Sequence, residues 1–277
     1  MKYIHFFHNI SKSDVSRFGG KAASLGEMAQ SQFPIPDGFA LSVDAFREFN
    51  GKEFSAEFEK ELHDAYTKLG ASRVAVRSSA VAEDASGASW AGQLETYLNV
   101  ARDNLHTSIR KCWKSILSDE AVAYAVGKKL TEADLAVGVV VQTMIESEVS
   151  GVMFTANPIT SDRSQVVIEG VFGLGEMIVQ GIVTPDNWLI SKDPLTVEEF
   201  NIAIKSKEMI FNSGKNSIRA VPEGRNDRAT LREEQVLELA RIGLKIEKHY
   251  KVPQDIEWAW AGGKFYIIQA RPVTTLS

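Results

Sequence analysis

The stretch QDIEWAWAGGKFYIIQARP, Gln254 to Pro272, consists of two strand-like runs with a Gly-Gly pair between them. Asp255 and Glu257 are two residues apart in the first run, and Gln269 and Arg271 are two apart in the second. Residues two apart in a strand point to the same face, so each pair projects to one side of its own strand. The sequence therefore predicts a β-hairpin that carries two polar pairs.

The length of the hairpin loop decides whether these two pairs meet. A two-residue turn at Gly262-Gly263 puts Glu257 and Gln269 on opposite faces of the hairpin. A three-residue loop that also includes Lys264 puts Glu257 directly across from Gln269, and it puts Asp255 across from Arg271. We therefore expect the three-residue loop, because it is the one that makes a site.

Regular alternation along the returning strand puts Gln269 and Arg271 on the same face as Phe265 and Ile267. In the aligned hairpin, a carboxylate, an amide oxygen and a guanidinium then lie at a cross-strand spacing of ~5 Å. Hard oxygens suit Mg²⁺, which takes one or two protein ligands beside phosphate oxygens and water, and arginine can bind a phosphate through two parallel hydrogen bonds. The hairpin alone leaves an alternative open, an exposed hairpin in which Asp255 and Arg271 form a surface ion pair.

The composition is that of a globular protein. The 277 residues are 44% hydrophobic and 24% charged, with a formal net charge of -5, and Lys and Arg form no basic block, which argues against a nucleic-acid partner. No apolar run reaches the ~20 residues of a membrane span, and no signal peptide is recognisable, so we expect no membrane partner. The single cysteine, Cys112, cannot form an internal disulfide, and a cytoplasmic location is expected.

Helix-like and strand-like segments alternate along the chain without a regular strand–helix–strand series, which predicts an α+β fold. Amphipathic helices are predicted from Phe54 to Leu69 and from Leu231 to Lys251. Two further helices are predicted between Arg102 and Leu130. β-Branched runs such as RVAVRSS, AVGVVVQTMI and QVVIEG predict buried strands.

Several polar residues outside the hairpin also point to a phosphate ligand. Arg77 ends an apolar strand beside a loop of small residues, whose backbone N–H groups could approach phosphates. Lys21 follows Gly19-Gly20 at a predicted helix start, where the helix dipole favours anions, so a bound anion would explain a lysine there. Gln142 and Met144 lie on a strand that could line an adenine pocket. Each of these features alone also fits a structural role.

The sequence motifs of other nucleotide-binding sites, of zinc sites and of nucleophilic enzymes are absent from the sequence. The chain has no G-x-x-x-x-G-K-[ST] sequence, and GVFGLGEMI has Ile178 where a dinucleotide-binding motif needs its third glycine. The five histidines form no zinc pattern and no Ser-His-Asp arrangement, so a self-contained nucleophilic enzyme is not expected.

Taken together, the motifs resemble the N-terminal ATP-binding domain of the phosphoenolpyruvate synthase and pyruvate phosphate dikinase family, which includes rifampin phosphotransferase. They occur in family order over nearly the whole chain, as GGKAASLGEM, PIPDGFALS, VAVRSSAVAEDASGASWAGQLETYLNV, VVVQTMIESEVSGVMFTANPIT, GLGEMIVQGIVTPDNW and QDIEWAWAGGKFYIIQARPVT. The resemblance implies an ATP-grasp-like α+β fold, with an N-terminal lobe over residues 1–144, a C-terminal lobe over residues 145–277, and Mg-ATP held between the lobes.

In the first lobe, the resemblance implies that Lys21 and Arg77 contact the phosphates as catalytic residues. The loop around Gly92 and Gln93 would close over the phosphates. Gln142 and Met144, at the end of the first lobe, would lie at the adenine hinge.

In the second lobe, the resemblance implies that Glu257 and Gln269 bind Mg²⁺, with Asp255 as a weaker candidate ligand. Arg271 would be catalytic and would stabilise negative charge on the transferred phosphoryl group.

Family members continue into a swivelling phosphohistidine domain and an acceptor domain, whereas this sequence ends at Ser277. We therefore expect phosphate transfer from Mg-ATP, with formation of AMP, to a histidine on a separate domain or protein. A stand-alone ATP-dependent kinase or ligase acting on a small molecule, and a non-catalytic nucleotide-binding regulatory module, are the two alternatives. The presence of all the expected ATP and metal residues argues against the non-catalytic module.

Overall fold

The computed structural model describes residues 2–81, 95–127, 136–274 and 276 of the chain. Contacts between Cα atoms divide the chain into two compact units, a first unit Met1–Met144 and a second unit Ile145–Ser277. The identification of these units with the two ATP-grasp lobes stays a prediction.

The first unit is built on an antiparallel sheet. Its described strands are β1 (Ile4–Phe6), β2 (Gly38–Leu41), β3 (Val74–Ala80), β4 (Thr96–Val100) and β5 (Val137–Thr143). They lie in the order β1-β2-β5-β3-β4, so β3 and β5 are neighbours near the middle of the sheet. Both of these strands are buried along nearly their whole length, in agreement with their β-branched sequences.

Helices pack against this sheet. They are α1 (Val15–Phe18), α2 (Gly20–Gln30), α3 (Val43–Phe49), α4 (Ala56–Leu69), α5 (Leu105–Ser115) and α6 (Asp119–Gly127), with 3₁₀ turns at Phe7–Asn9, Lys12–Asp14 and Arg102–Asn104. α4 begins at the N-cap Ser55, whose hydroxyl accepts the N–H of Phe58 at 3.2 Å, and ends at the left-handed Gly70.

Aromatic rings fill the core on the α4 and α5 side of the sheet. The rings of Phe49 and Phe58 stack at 4.7 Å between centroids, and Phe54 meets Phe58 edge-on at 4.9 Å. Val74 and Val76 of β3 belong to the same core cluster. The residues that alternate with these valines therefore project from the other face of the sheet.

The second unit contains a larger antiparallel sheet. Its described strands are β6 (Val149–Phe154), β7 (Gln165–Phe172), β8 (Asp186–Lys192), β9 (Leu195–Asn201), β12 (Gln254–Ala261) and β13 (Lys264–Pro272), in the order β13-β12-β6-β7-β8-β9. A separate two-stranded ribbon is formed by β10 (Lys207–Asn212) and β11 (Lys215–Ala220).

One face of this larger sheet packs on a long helix. The helices of the second unit are the short α7 (Glu176–Val179) and the 18-residue α8 (Glu233–Tyr250). Gly243 of α8 lies so close to Met153 that an added Cβ would be 2.5 Å from its terminal methyl carbon. Met153 pairs with Ile256 on β12, so the α8 side of the sheet is the face of Ile256 and not the face of Glu257.

A fully buried ion pair stabilises the start of β8. Asp186 and Lys205 form this pair, and both side chains are inaccessible to solvent. The second carboxylate oxygen of Asp186 accepts the backbone N–H and the hydroxyl of Thr230 at 2.7 and 2.9 Å. The two buried charges are thus compensated by each other and by these hydrogen bonds, as burial requires.

This architecture confirms the predicted α+β class. The two predicted amphipathic helices are α4 and α8, and the predicted β-branched strands are β3, β5 and β7. None of the described helices combines the length and apolar character needed to cross a bilayer.

Candidate nucleotide and metal site

In the first unit, the start of α2 lies against the end of β3. Ser79 of β3 accepts the backbone N–H of Ala22 through its hydroxyl at 3.1 Å. At Gly19, where φ is +83°, an added Cβ would lie 2.0 Å from the carbonyl oxygen of Ser79. Glycine is therefore required at this position both by its conformation and by the close approach of the two backbones.

This contact determines how two cations that were predicted to bind phosphates, Lys21 and Arg77, lie relative to each other. Lys21 lies in the first turn of α2 and is 9% exposed, and Arg77 of β3 is 6% exposed. Arg77 and Ser79 are two residues apart, so they project from the same face of β3, the face on which α2 begins. The structure thus brings a buried lysine and a buried arginine to the same region of the first unit.

Gln142 belongs to the same face of the sheet. It pairs with Ala75 of β3, which is two residues before Arg77, and its side chain is buried. Met144 follows β5, is half-buried, and donates its backbone N–H to the carbonyl oxygen of Arg73 at 3.1 Å. Gly92 and Gln93, predicted to close over phosphates, lie in the segment 82–94, which is outside the described residues.

The hairpin of β12 and β13 has the predicted polar pairing, but the predicted loop is wrong. Ala261 pairs with Lys264, so the turn has two residues, Gly262 and Gly263. Both glycines have positive φ, +57° and +77°, as a type I′ turn requires. By the reasoning from the sequence, this turn should have separated Glu257 from Gln269.

A β-bulge restores the pairing. Trp258 pairs with Ile267 and Glu257 pairs with Gln269, which leaves Ile268 as an extra residue on β13. The bulge also corrects the predicted face of the returning strand. Ile267 lies on the buried face with Trp258, whereas Gln269 lies on the face of Glu257, although the two residues are only two apart in the sequence.

Asp255 and Arg271, which also face each other across the hairpin, form an ion pair. The Nε and Nη2 atoms of Arg271 contact Oδ2 of Asp255 at 2.9 and 2.8 Å. Burial raises the pKa of the Asp255 carboxyl above its ordinary value, and the nearby guanidinium of Arg271 opposes this shift. The ion pair with Asp255 orients the guanidinium of Arg271 beside the Glu257–Gln269 pair.

The Glu257–Gln269 pair fits a magnesium ion. Glu257 is half-buried and Gln269 is 8% exposed, and their directly paired positions put a carboxylate and an amide oxygen at adjacent cross-strand sites. Among the described residues, no group of three or more His, Cys, Asp or Glu side chains is placed to hold a metal. A site with one or two protein oxygens is what Mg²⁺ accepts when phosphates and water complete its shell.

Two residues near this pair were missed from the sequence. Glu169 of β7 and Asn187 of β8 lie on the same face of the sheet as Glu257, because Val152 pairs with both Glu257 and Glu169, and Glu169 pairs with Asn187. The signal was a single carboxylate within the otherwise apolar run VVIEGVF.

Comparison with known proteins agrees with the resemblance noted in the sequence. The family model described as pyruvate phosphate dikinase, AMP/ATP-binding domain, matches residues 49–277. A probable phosphoenolpyruvate synthase of Archaeoglobus fulgidus is 39% identical over 97% of this chain and 41% of its own length. Rifampicin phosphotransferase of Bacillus cereus is 34% identical over 99% of this chain and 36% of its own length. The chain therefore spans less than half the length of these two relatives.

The solved structures that resemble the chain are more distant. D-alanine–D-alanine ligase from Bacillus anthracis complexed with ATP has a TM-score of 0.41 and 8% identity, over 93% of this chain and 56% of the other. The ATP-grasp ligase PsnB complexed with minimal precursor has a TM-score of 0.32 and 11% identity, over 95% of this chain and 53% of the other.

The family match covers most of the chain, including β3, the Gln142 strand and the whole C-terminal hairpin. It confirms the family that the motifs predicted. The chain belongs to the pyruvate phosphate dikinase AMP/ATP-binding domain family, and its fold has the α+β class that the resemblance implied.

Proposed function

We propose that the chain binds Mg-ATP and transfers phosphate from it in the manner of a dikinase, to a histidine on a separate domain or protein, with formation of AMP. One observation carries the proposal. In the C-terminal hairpin, the Glu257–Gln269 pair lies directly beside the Asp255–Arg271 ion pair. This arrangement offers oxygen ligands for a metal next to a cation for a phosphate, within a domain of an AMP/ATP-binding family.

In this proposal, Glu257 and Gln269 hold Mg²⁺, which when bound would neutralise charge on the phosphate oxygens. Arg271 binds and stabilises the charge that develops on the transferred group. The carboxylate of Asp255 holds the guanidinium in place, and this leaves Asp255 as the weaker metal ligand of the three. A guanidinium oriented in advance needs little reorganisation when the reaction occurs, which is the main way a protein lowers the barrier of phosphoryl transfer.

Lys21 and Arg77 of the first unit contact phosphates in this proposal. Both are nine-tenths or more buried, so the charges act in a region of low dielectric constant where they interact strongly with an anion. We assign Gln142 and Met144 to the adenine base and Gly92 and Gln93 to a phosphate-covering loop.

Formation of AMP defines the bond that breaks. A histidine nitrogen attacks the β-phosphorus, the bond from that phosphorus to the oxygen bridging it to the α-phosphate breaks, and the electron pair stays on this oxygen, which becomes part of AMP. The β- and γ-phosphates are transferred together to the histidine as a pyrophosphoryl group, and hydrolysis by water then releases the γ-phosphate and leaves a phosphohistidine. Because the chain spans less than half of its relatives, the acceptor histidine is sought on a separate phosphohistidine domain. A small-molecule acceptor would give AMP or ADP without that domain.

The test measures binding and product separately. Mg-ATP binding is measured by titration calorimetry for the wild type, Glu257→Ala and Gln269→Ala, and the nucleotide products are separated with and without a phosphohistidine domain from a phosphoenolpyruvate synthase. We expect both variants to lose the Mg²⁺ dependence of ATP binding, and AMP to form only when the domain is present. Glu199→Ala, which removes an exposed carboxylate of β9 in the same sheet, is the matched control. Unchanged Mg²⁺ dependence in Glu257→Ala would refute the metal assignment, and ADP as the product would refute the dikinase assignment.

The cytoplasmic location stays a prediction from the composition and the single cysteine.

A further inference from the structure

The second sheet carries a polar row on the face opposite α8. Across the strands from β13 to β8, the paired positions are Gln269, Glu257, Val152, Glu169 and Asn187. Paired residues of neighbouring antiparallel strands project from the same face. The proposed metal ligands therefore continue, past one valine, into a second carboxylate and amide.

The carboxylate of Glu169 is only weakly compensated. It is half-buried, and burial raises the pKa of its carboxyl above the ordinary value. Asn187 donates one hydrogen bond to it through Nδ2, at the long distance of 3.4 Å. Over the described part of the chain, the structure shows no ion pair for Glu169. A ligand that donates hydrogen bonds to this carboxylate would offset the cost of its burial.

Spacing argues against a role for Glu169 at the same metal ion as Glu257. Two strand intervals of ~4.8 Å separate the two glutamates, so their backbones are about 10 Å apart. Oxygens that share one Mg²⁺ must each lie about 2.1 Å from it. A nucleotide whose phosphates lie at Glu257 and Gln269, and which extends along this row, would bring its next group to Glu169. The next hydrogen-bond donors of such a nucleotide are the hydroxyls of its sugar.

We propose that Glu169, oriented by Asn187, accepts hydrogen bonds from the vicinal 2′- and 3′-hydroxyls of the ribose and makes the site selective for ribonucleotides. This inference rests on the proposed binding of Mg-ATP at Glu257 and Gln269. A site that hydrogen-bonds a hydroxyl through a buried charged group discriminates strongly against an analogue without it, because the protein group is then left unpaired.

The test compares the affinities of the wild type and variants for ATP and for 2′,3′-dideoxy-ATP, both with Mg²⁺. We expect the wild type to bind ATP about 10- to 100-fold more tightly than the dideoxy analogue, since hydrogen bonds to charged groups are at stake. In Glu169→Gln this ratio should fall close to one, through weaker binding of ATP and with little change for the analogue. Asn187→Ala should lower the ratio in part, and the exposed-site control Glu199→Gln should keep it.

The outcomes separate this inference from the proposed function. If Mg-ATP binds and Glu257→Ala weakens it, but Glu169→Gln and Asn187→Ala keep the wild-type ratio, the ribose assignment is overturned and the proposed function stands. The same conclusion follows if only Glu176→Gln, at the half-buried carboxylate of α7, abolishes the discrimination. If the wild type does not bind Mg-ATP, both proposals fail.

Discussion

Replacing Gly19 by alanine tests how the first unit positions its cations. The new Cβ would lie 2.0 Å from the carbonyl oxygen of Ser79, whereas real Cβ contacts essentially never fall below 3.0 Å. The backbones of α2 and β3 must therefore separate by about 1 Å, and a misplacement of that size can lower turnover about 100-fold. Lys21, two residues further on, moves with the helix.

The stability effect has two parts that a control can separate. At the φ of +83° and ψ of 165° of Gly19, a region used essentially by glycine alone, alanine is strained by about 1–3 kcal/mol, and the forced contact adds about 1–3 kcal/mol. Gly70→Ala is also strained, by about 1–2 kcal/mol in the left-handed conformation at φ +69°, but nothing lies within 4 Å of its new Cβ. We expect Gly70→Ala to lower the free energy of unfolding and leave Mg-ATP binding unchanged.

The assay pairs urea unfolding with calorimetric titration of Mg-ATP on both variants. Gly19→Ala should remain folded, unfold at lower urea than Gly70→Ala, and bind Mg-ATP at least about tenfold more weakly, since Lys21 and Arg77 no longer converge. Equal affinities for the two variants would refute the claim that the contact between Gly19 and Ser79 positions Lys21, the lysine proposed to bind phosphate.

Three further predictions concern the hairpin, the buried ion pair and the cysteine. Deleting Ile268 removes only the extra residue of the bulge, so Glu257 should still face Gln269 and the Mg²⁺ dependence of ATP binding should survive; its loss would contradict the register. Asp186→Asn leaves the buried ammonium without its counter-charge and should lower the free energy of unfolding by about 3–5 kcal/mol in urea titrations, and a change below about 1 kcal/mol would show that water reaches the pair. Burial raises the pKa of the Cys112 thiol to about 12, so a disulfide reagent at pH 8 should modify it about a thousandfold more slowly than in urea-unfolded chain, and comparable rates would mean the thiol is accessible.

The hairpin shows how a correct prediction can follow from an incomplete argument. The sequence contained two signals, a Gly-Gly pair that favours a two-residue turn and two polar pairs that favour alignment. A loop that includes Lys264 would satisfy the polar alignment alone, whereas the structure satisfies both signals by inserting Ile268 as a bulge. Nothing in the side chain of Ile268 distinguishes it from Ile267, so residue type alone could not locate the bulge.

The first unit shows a different limit. Arg77 and Lys21 could be identified from their local sequence. Lys21 lies at a helix start, where the helix dipole disfavours a cation, and Arg77 ends an apolar strand beside a loop of small residues. Their convergence depends on the contact of Gly19 with Ser79, which are 60 residues apart in the chain. Contacts of this kind are set by the packing of α2 on the sheet, and no local pattern encodes them. Glu169 was missed for the same reason, since only the strand order brings it into line with Glu257.

The face of the second sheet opposite α8 carries more negative than positive side chains, and this affects how a nucleotide can bind there. Asp255, Glu257 and Glu169 are carboxylates, and Arg271 is already paired with the first of them. An ATP molecule without metal would meet a face with excess negative charge, partly desolvated, where like charges repel more strongly than in water. Removing Mg²⁺ with a chelator should therefore weaken ATP binding more than screening by added salt can restore. The proposed site also offers a way for a chain with a net charge of -5 to bind a polyanion. A metal held by Glu257 and Gln269 would supply the positive charge that this face itself lacks.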